Sequence, residues 1–289
     1  LYGNPLEKPP VEIVKQGNEA ILKYFQDMED EGMDHIYEAK LLILGEPGAG
    51  KTTFARKIQD VNSELPEEKE TTRGIDIDKW DFQHKFHNRE EKTIRANIWD
   101  FGGQAIYKAT HRFFLTRRSF YAIVADARKE DTDFYYWMHI VELFGEDSPV
   151  FIIINEKENR KRDLPYNTLR GRFDILKGKK ELNLKEPDER FNKLLDKLKF
   201  EISQLKHIGD PIPANWKKIR NKMAELEEKD NKVISLKTYR KICAAHKLSN
   251  SKDQNMLSGF FHDLGVFLHF HDDDILSKSI FLNKEWILE

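Results

Sequence analysis

The sequence predicts an α/β fold: a mostly parallel sheet covered by helices, followed by a smaller, mainly helical, winged-helix-like module. Three observations predict it. Short, near-continuous apolar runs at residues 41–44, 119–125 and 150–154 alternate with amphipathic helical stretches, the pattern of strands buried on both faces. A glycine-rich turn joins the first of these runs to a helix. Beyond Pro211-Ile212-Pro213, apolar residues recur mainly at helical spacing.

The chain has 289 residues, enough for two domains, and its 39% hydrophobic content supplies real cores beneath a surface rich in charge. No apolar run approaches the ~18 residues that span a bilayer, so no transmembrane segment is expected. Lys and Arg total 48 against 50 Asp and Glu, so no global field favours nucleic acid or an acidic membrane. Cys243 is the single cysteine, which excludes an intramolecular disulfide and fits a reducing, cytoplasmic compartment. The chain opens at Leu1 without Met and is expected to be a piece of a larger protein.

Element by element, Pro9 and Pro10 start a helix that carries Val14, Ile21, Leu22, Phe25 and Met28 on one face and stops at Gly32. Residues 40–44 form the first strand, and a helix runs from Gly50 to about Ile58. Strand signals follow at 75–82, 93–99, 119–125 and 150–154, the first two reading either as sheet members or as an antiparallel edge hairpin. A helix over 132–144 has acidic starts at Asp131 and Asp133 and Gly145 as its stop. The highly charged region 156–190 shows only a helix near 167–176, before a strong helix bearing Phe191, Leu194, Leu195, Leu198, Ile202 and Leu205. Pro211-Ile212-Pro213 reads as a linker. Three helices come next, carrying Trp216, Ile219, Met223 and Leu226, then Tyr239, Ile242 and Cys243, then Met256, Leu257, Phe260 and Leu264. A hairpin of 266–270 with 279–282 closes the module.

Gly45-Glu46-Pro47-Gly48-Ala49-Gly50-Lys51-Thr52 matches the phosphate-loop pattern G-x-x-x-x-G-K-[ST], in the strand-to-helix context that pattern requires. Glycines let backbone N–H groups face phosphate oxygens, and the helix start adds its positive dipole end. Lys51 supplies a point charge to the β/γ-phosphates, the Thr52 hydroxyl can ligate Mg²⁺, and Thr53 beside it belongs to the nucleotide-binding set. Asp100-Phe101-Gly102-Gly103-Gln104 closes a strand about fifty residues later, in the order phosphoryl-transfer sites use. Asp100 can hold the Mg²⁺ shell, the Gly103 N–H can reach a γ-phosphate, and Gln104 can orient the attacking water. Between them, Thr72 stands two before Gly74 and ahead of a strand, placed to sense the γ-phosphate and complete the Mg²⁺ shell.

These three motifs, in this order and spacing, resemble the Ras-like GTPase superfamily. The segment Gln104-Ala105-Ile106-Tyr107-Lys108-Ala109-Thr110-His111-Arg112-Phe113-Phe114-Leu115, with Asp126-Ala127-Arg128, is similar to the Roc domain of the Roco family. The opening L-x-G-N-P-L-x-x-P-P resembles the end of a leucine-rich-repeat array, and residues from about Pro211 resemble the first half of the COR region. The resemblance implies three parts: residues 1–35 as a helical segment ending a repeat region, 36–209 as a Roc GTPase domain, and 210–289 as the N-terminal part of COR. It also implies base reading by an N-K-x-D motif, which here is Asn155-Glu156-Lys157-Glu158, so that Asn155 and Glu158 contact the base while Glu156 replaces the lysine. A second base contact has only Asn183 as a candidate.

The implied function is a guanine-nucleotide switch that hydrolyses GTP to GDP and phosphate with Mg²⁺, with no general base and therefore slow turnover. The implied partners are the repeat and remaining COR segments of the parent chain, with a homodimer in the full-length protein. An ATP-using P-loop NTPase and a nucleotide-binding scaffold without turnover are the alternatives. Arg117, Arg118 and Arg128 read as salt-bridging residues, with a transition-state arginine as the other reading. His269 and His271 beside the acidic run 272–274 read as strand residues, since a metal site lacks a third spaced ligand.

Overall fold

The computed structural model describes residues 8–66, 74–86, 90–102, 114–129 and 132–283. The chain divides into two compact units, one of Glu38 to Leu205 and one that joins the residues up to Tyr37 with those from Lys206 onward.

The unit 38–205 is built on six strands: β2 (Glu38–Leu44), β3 (Ile75–Lys85), β4 (Glu91–Phe101), β5 (Ser119–Asp126), β6 (Val150–Asn155) and β7 (Leu176–Leu182), in the order β3-β4-β2-β5-β6-β7. All neighbours are parallel except β3 and β4, which pair antiparallel from Ile75↔Phe101 to Lys85↔Glu91 and form the edge hairpin. Every residue of β2, β5 and β6 is buried, which is why these strands read as unbroken apolar runs. On edge strand β3, buried Trp80 and Phe82 alternate with exposed Lys79, Asp81 and Gln83. Helices α3 (Lys51–Gln59), α4 (Phe134–Gly145), α5 (Tyr166–Arg172) and α6 (Glu189–Ser203) complete the unit, α6 touching both edge strands β3 and β7. Asp133 caps α4 at the Tyr136 N–H, as its acidic start predicts.

Two expectations in this unit change. The helix expected over 167–176 ends at Arg172, and strand β7 follows it unannounced. Its sequence, Leu-Lys-Gly-Lys-Lys-Glu-Leu, is that of an edge strand whose lysines face water and discourage pairing with other chains. Gly178 leaves room for the Phe151 ring, which would lie 2.4 Å from an added Cβ.

The second unit opens with two helices, α1 (Val11–Lys15) and α2 (Asn18–Glu31), instead of the single one expected. Gly17, at φ +97°, breaks the run and resets the helical phase. The inward face of α2 is therefore Ala20, Ile21, Tyr24 and Met28, while Leu22 and Phe25 are 70% and 44% exposed. The expected linker is a strand: β8 (Pro211–Pro213) pairs antiparallel with β1 (Met33–His35). Tyr24 Oη donates to Pro211 O at 2.6 Å, and Ile212 is fully buried. Helices α7 (Ala214–Glu228), α8 (Leu236–Ala245) and α9 (Ser251–Asp263) follow, with Trp216, Ile219, Tyr239, Cys243, Leu257 and Phe260 sharing a core with Ile13 and Tyr24.

The wing differs from expectation. β10 (Ser279–Phe281) pairs with β9 (Val233–Ser235), and the expected partner 266–270 makes a single bridge at Leu268. His269 is buried there, its Nδ1 2.8 Å from Ser258 Oγ and its Nε2 3.0 Å from Ser277 O, so it is a packed core histidine. No group of three His, Cys, Asp or Glu suited to a metal occurs among the described residues, and no helix among them is long and apolar enough to cross a membrane.

Candidate functional site

Strand β2 lies between β4 and β5, so the chain leaves it toward opposite sides of the sheet. In an open α/β sheet such a reversal makes a crevice at the carboxyl ends of the strands, where ligands bind. Into that crevice project the loop after β2, the end of β4 at Asp100, the end of β5 at Asp126 and the end of β6 at Asn155.

The loop 45–50 is shaped by its glycines. Gly45 sits at φ +136°, and a Cβ there would lie 2.0 Å from the Val124 carbonyl oxygen, so the loop departs in backbone contact with β5. Gly50, at φ +107°, caps α3 and would meet Asn155 Nδ2 at 2.5 Å. Gly48, at φ +73°, and Gly50 alternate with residues of negative φ, the arrangement by which successive N–H groups build a concave nest for an anion.

Lys51 is buried, and its Nζ donates to the carbonyls of Gly45 and Glu46, each at 3.0 Å. Burial lowers its pKa to about 8; the charges of Asp100 and Glu46 act in the opposite direction, and Lys129 adds to the lowering. Its cation is thus held by loop carbonyls in the place where phosphate oxygens would compensate it better. Thr52 Oγ1 donates to Asp100 Oδ2 at 2.5 Å, bringing two oxygen donors together at the buried end of β4. A small set of hard oxygen ligands fits Mg²⁺, which takes few protein ligands and completes its shell with phosphates and water. Thr53 is half-buried in the same turn of α3. Thr72, Gly103 and Gln104 lie outside the described residues.

Asn155 fastens the other side of the loop. Its Nδ2 donates to Ala49 O at 2.9 Å and its Oδ1 accepts from the Leu184 N–H at 3.1 Å, which ties the phosphate loop to the β7–α6 connection. Glu158, in the left-handed region at φ +55°, accepts from Arg128 Nη1 at 2.6 Å. Arg128 also forks onto Asp126, through Nη2 at 2.9 Å and Nε at 3.1 Å. Burial raises the Asp126 pKa, but the bonds from Arg128 and the charge of Lys157 outweigh it and hold the carboxyl below its usual range.

Sequence reasoning missed three residues here. Lys157 Nζ donates to Gly48 O at 2.6 Å and lies 3.4 Å from Asp126 Oδ2, so a lysine straps the loop from one position later than the N-K-x-D pattern puts it. Lys129 Nζ donates to Pro47 O at 3.2 Å, and Asp126 anchors both Arg128 and Lys157. The signal for Lys157 was a lysine adjacent to the expected one, with a side chain long enough to reach from either position. Glu156, which occupies the lysine's position, pairs instead with Arg190 of α6 at 2.8 Å. Asn183 uses its Oδ1 on the Lys185 and Glu186 N–H groups in a local turn. Arg117 and Arg118 precede β5 and so stand at the opposite end of an eight-residue strand, roughly 25 Å from the crevice.

Residues 40–158 match the family model described as "Ras of Complex, Roc, domain of DAPkinase", and residues 213–289 match "C-terminal of Roc, COR-A domain". Among solved structures, the chain is similar to Methanosarcina barkeri Roco2 RocCORdC bound to GDP, with 32% identity and a TM-score of 0.77, covering 88% of this chain and 75% of that one. The probable serine/threonine-protein kinase pats1 of Dictyostelium discoideum is 26% identical over 99% of this chain, and a Roc-COR-CHAT protease of Runella zeae is 24% identical over 88% of it. The chain spans 10% of the kinase's length and 29% of the protease's.

Proposed function

The chain belongs to the Roc–COR family, and from the geometry of its phosphate loop we propose that it is a guanine-nucleotide switch that binds GTP and GDP and slowly hydrolyses GTP. The observation that carries the reading is the loop strapped at three successive carbonyls, by Lys129 at Pro47, Lys157 at Gly48 and Asn155 at Ala49, with buried Lys51 at its centre. These bonds hold the loop backbone in one conformation, and preorganisation is what phosphate binding requires of it. The GDP in the related Methanosarcina structure supports guanine as the base.

In this reading the loop N–H groups and Lys51 bind the β- and γ-phosphates. Thr52, Asp100 and Thr72 would hold Mg²⁺, which when bound neutralises charge on the phosphate oxygens. Gln104 orients a water whose oxygen bonds to the γ-phosphorus while the bond to the bridging oxygen breaks, leaving GDP and inorganic phosphate that carries both of the water's protons as dihydrogen phosphate. Among the described residues of the site no side chain serves as a strong general base, so in this reading unassisted turnover is on the order of 10⁻⁴–10⁻² s⁻¹. Contacts of Thr72 and Gly103 with the γ-phosphate order their loops, and hydrolysis releases them. The proposal extends to a Roc domain over 36–209, a COR portion from 210, action in the cytoplasm, coupling of nucleotide state to the remaining COR and repeat segments, and a homodimer in the longer protein.

One observation favours a second reading. Glu158 is already charge-paired with Arg128, and Glu156 stands where a base-packing lysine is usual, which weakens the case for guanine over adenine. Calorimetric titration of nucleotide-stripped protein with GDP and then ADP in Mg²⁺ buffer separates the two. GDP binding about a thousandfold tighter supports the switch. Comparable affinities would move an ATP-using NTPase ahead. Single-turnover GTP hydrolysis lost in Gln104→Leu excludes a scaffold without turnover.

A further inference from the structure

We propose that the concave face formed by α8, the start of α9 and the segment before β10 binds a small molecule carrying two or more phosphate groups. This site lies in the unit that does not contain the phosphate loop. A cavity of about 750 Å³ opens there, and Lys237, Arg240, Lys241 and Lys278 line it together with Ser249 and Ser251. Its volume falls in the range of small-molecule sites, roughly 300–1,000 Å³.

The charge arrangement is the argument. Positions 237, 240 and 241 are spaced i, i+3, i+4, so one face of α8 gathers three cations while Tyr239 and Cys243 go to the core. Residues 231–252 contain Lys232, Lys237, Arg240, Lys241, Lys247 and Lys252 and not one Asp or Glu, in a chain whose net charge is −2. Outside the cavity, cations of this unit find acids: Lys247 pairs with Glu31, and Lys23 with Asp253. Among the described residues, none of the four lining cations makes an ion pair. Arg240 reaches only Asn255 Oδ1, at 3.4 Å, and its Nε is buried without a hydrogen-bond partner.

Like charges at i,i+4, as at Lys237 and Lys241, oppose helix formation, so the fold gains nothing from the cluster by itself. The Arg240 guanidinium, three ammonium groups and the Ser249 and Ser251 hydroxyls, which line the cavity from three elements, are the donor types that phosphate recognition uses. The ligand chemistry is shared by a free polyphosphorylated polyol and the headgroup of a phosphoinositide lipid.

The test uses the full chain loaded with GDP, so that the phosphate loop is occupied, and inositol 1,4,5-trisphosphate as the calorimetric probe. Binding is expected, weakening about tenfold as salt rises from about 50 to about 200 mM. Arg240→Gln with Lys241→Gln, and separately Lys278→Gln on a different element, should each lower affinity about tenfold or more, while Lys217→Gln on α7 leaves it within about twofold. Phosphatidylcholine vesicles with and without phosphatidylinositol bisphosphate distinguish the sources. Co-sedimentation that free trisphosphate competes away assigns the site to a lipid headgroup; trisphosphate binding without co-sedimentation assigns it to a soluble ligand. The proposal is overturned if neither probe binds, if the pocket substitutions leave binding within about twofold, or if vesicle binding ignores the trisphosphate.

Discussion

A buried ammonium surrounded by main-chain carbonyls is only partly compensated, and Lys51 carries the mark of that in a pKa near 8. Its ordinary value of 10.5 applies once the chain unfolds, so between about 8 and 10.5 the unfolded state holds more protons and the ligand-free unit gains stability as pH rises. Phosphate oxygens restore the charge. GDP binding at pH 8.5 should therefore take up roughly two-thirds of a proton more than binding at pH 7, read from calorimetry in buffers of different ionisation enthalpy. Uptake that does not change with pH would sink this assignment. Gly45 makes a second prediction at this scale. An alanine there combines φ +136° with a Cβ 2.0 Å from Val124 O, a backbone obstacle that cannot rotate away. Gly45→Ala should destabilise the unit by about 2 kcal/mol or more in urea unfolding. The loop glycines and Lys51 were legible because their spacing is their chemistry. Lys157 was not, because a long flexible side chain can strap the loop from either of two positions and spacing does not say which.

Between residues and the whole stand the strand ends that carry the site. The end of β6 sends Asn155 and Lys157 to the phosphate loop and Glu156 to α6, so neighbouring side chains divide between bracing the loop and packing against a helix. Lys157→Ala should raise the GDP dissociation rate about tenfold, whereas Glu156→Ala should stay within about threefold and change stability by less than about 1 kcal/mol, since its ion pair is partly solvated. Stopped-flow release of a fluorescent guanine nucleotide distinguishes them. Strands buried on both faces announced themselves as apolar runs, but β7 and β8 did not. Lysines on the first and prolines in the second are how edge strands avoid unwanted partners, and both read as non-strand. Pro211–Pro213 is nonetheless structural: Ile212→Ala should cost about 2–5 kcal/mol, seen as an earlier thermal transition with GDP affinity retained.

On the scale of the molecule, alternating runs and helices were enough to read the α/β class and the helical character of the C-terminal part. The membership of the N-terminal helices was not legible, because Ile13 and Tyr24 meet Trp216 and Phe260 across most of the chain's length and no local pattern encodes such a contact. Removing residues 1–31 should therefore leave GDP affinity within about threefold while broadening the melting of the C-terminal helices, followed by near-ultraviolet circular dichroism. That same architecture makes the second unit discontinuous. β1 is synthesised first and must wait for β8, which reaches it through Asp34↔Ile212 and through the Gly209 N–H bond to Ile36 O. At ribosomal speed the intervening stretch, on the order of 170 residues, takes roughly 10–30 s to emerge. During that interval Ile13 and Tyr24 have no core to join. A folded nucleotide unit shortens the gap that β1 and β8 must close and removes most of the loop entropy opposing their pairing.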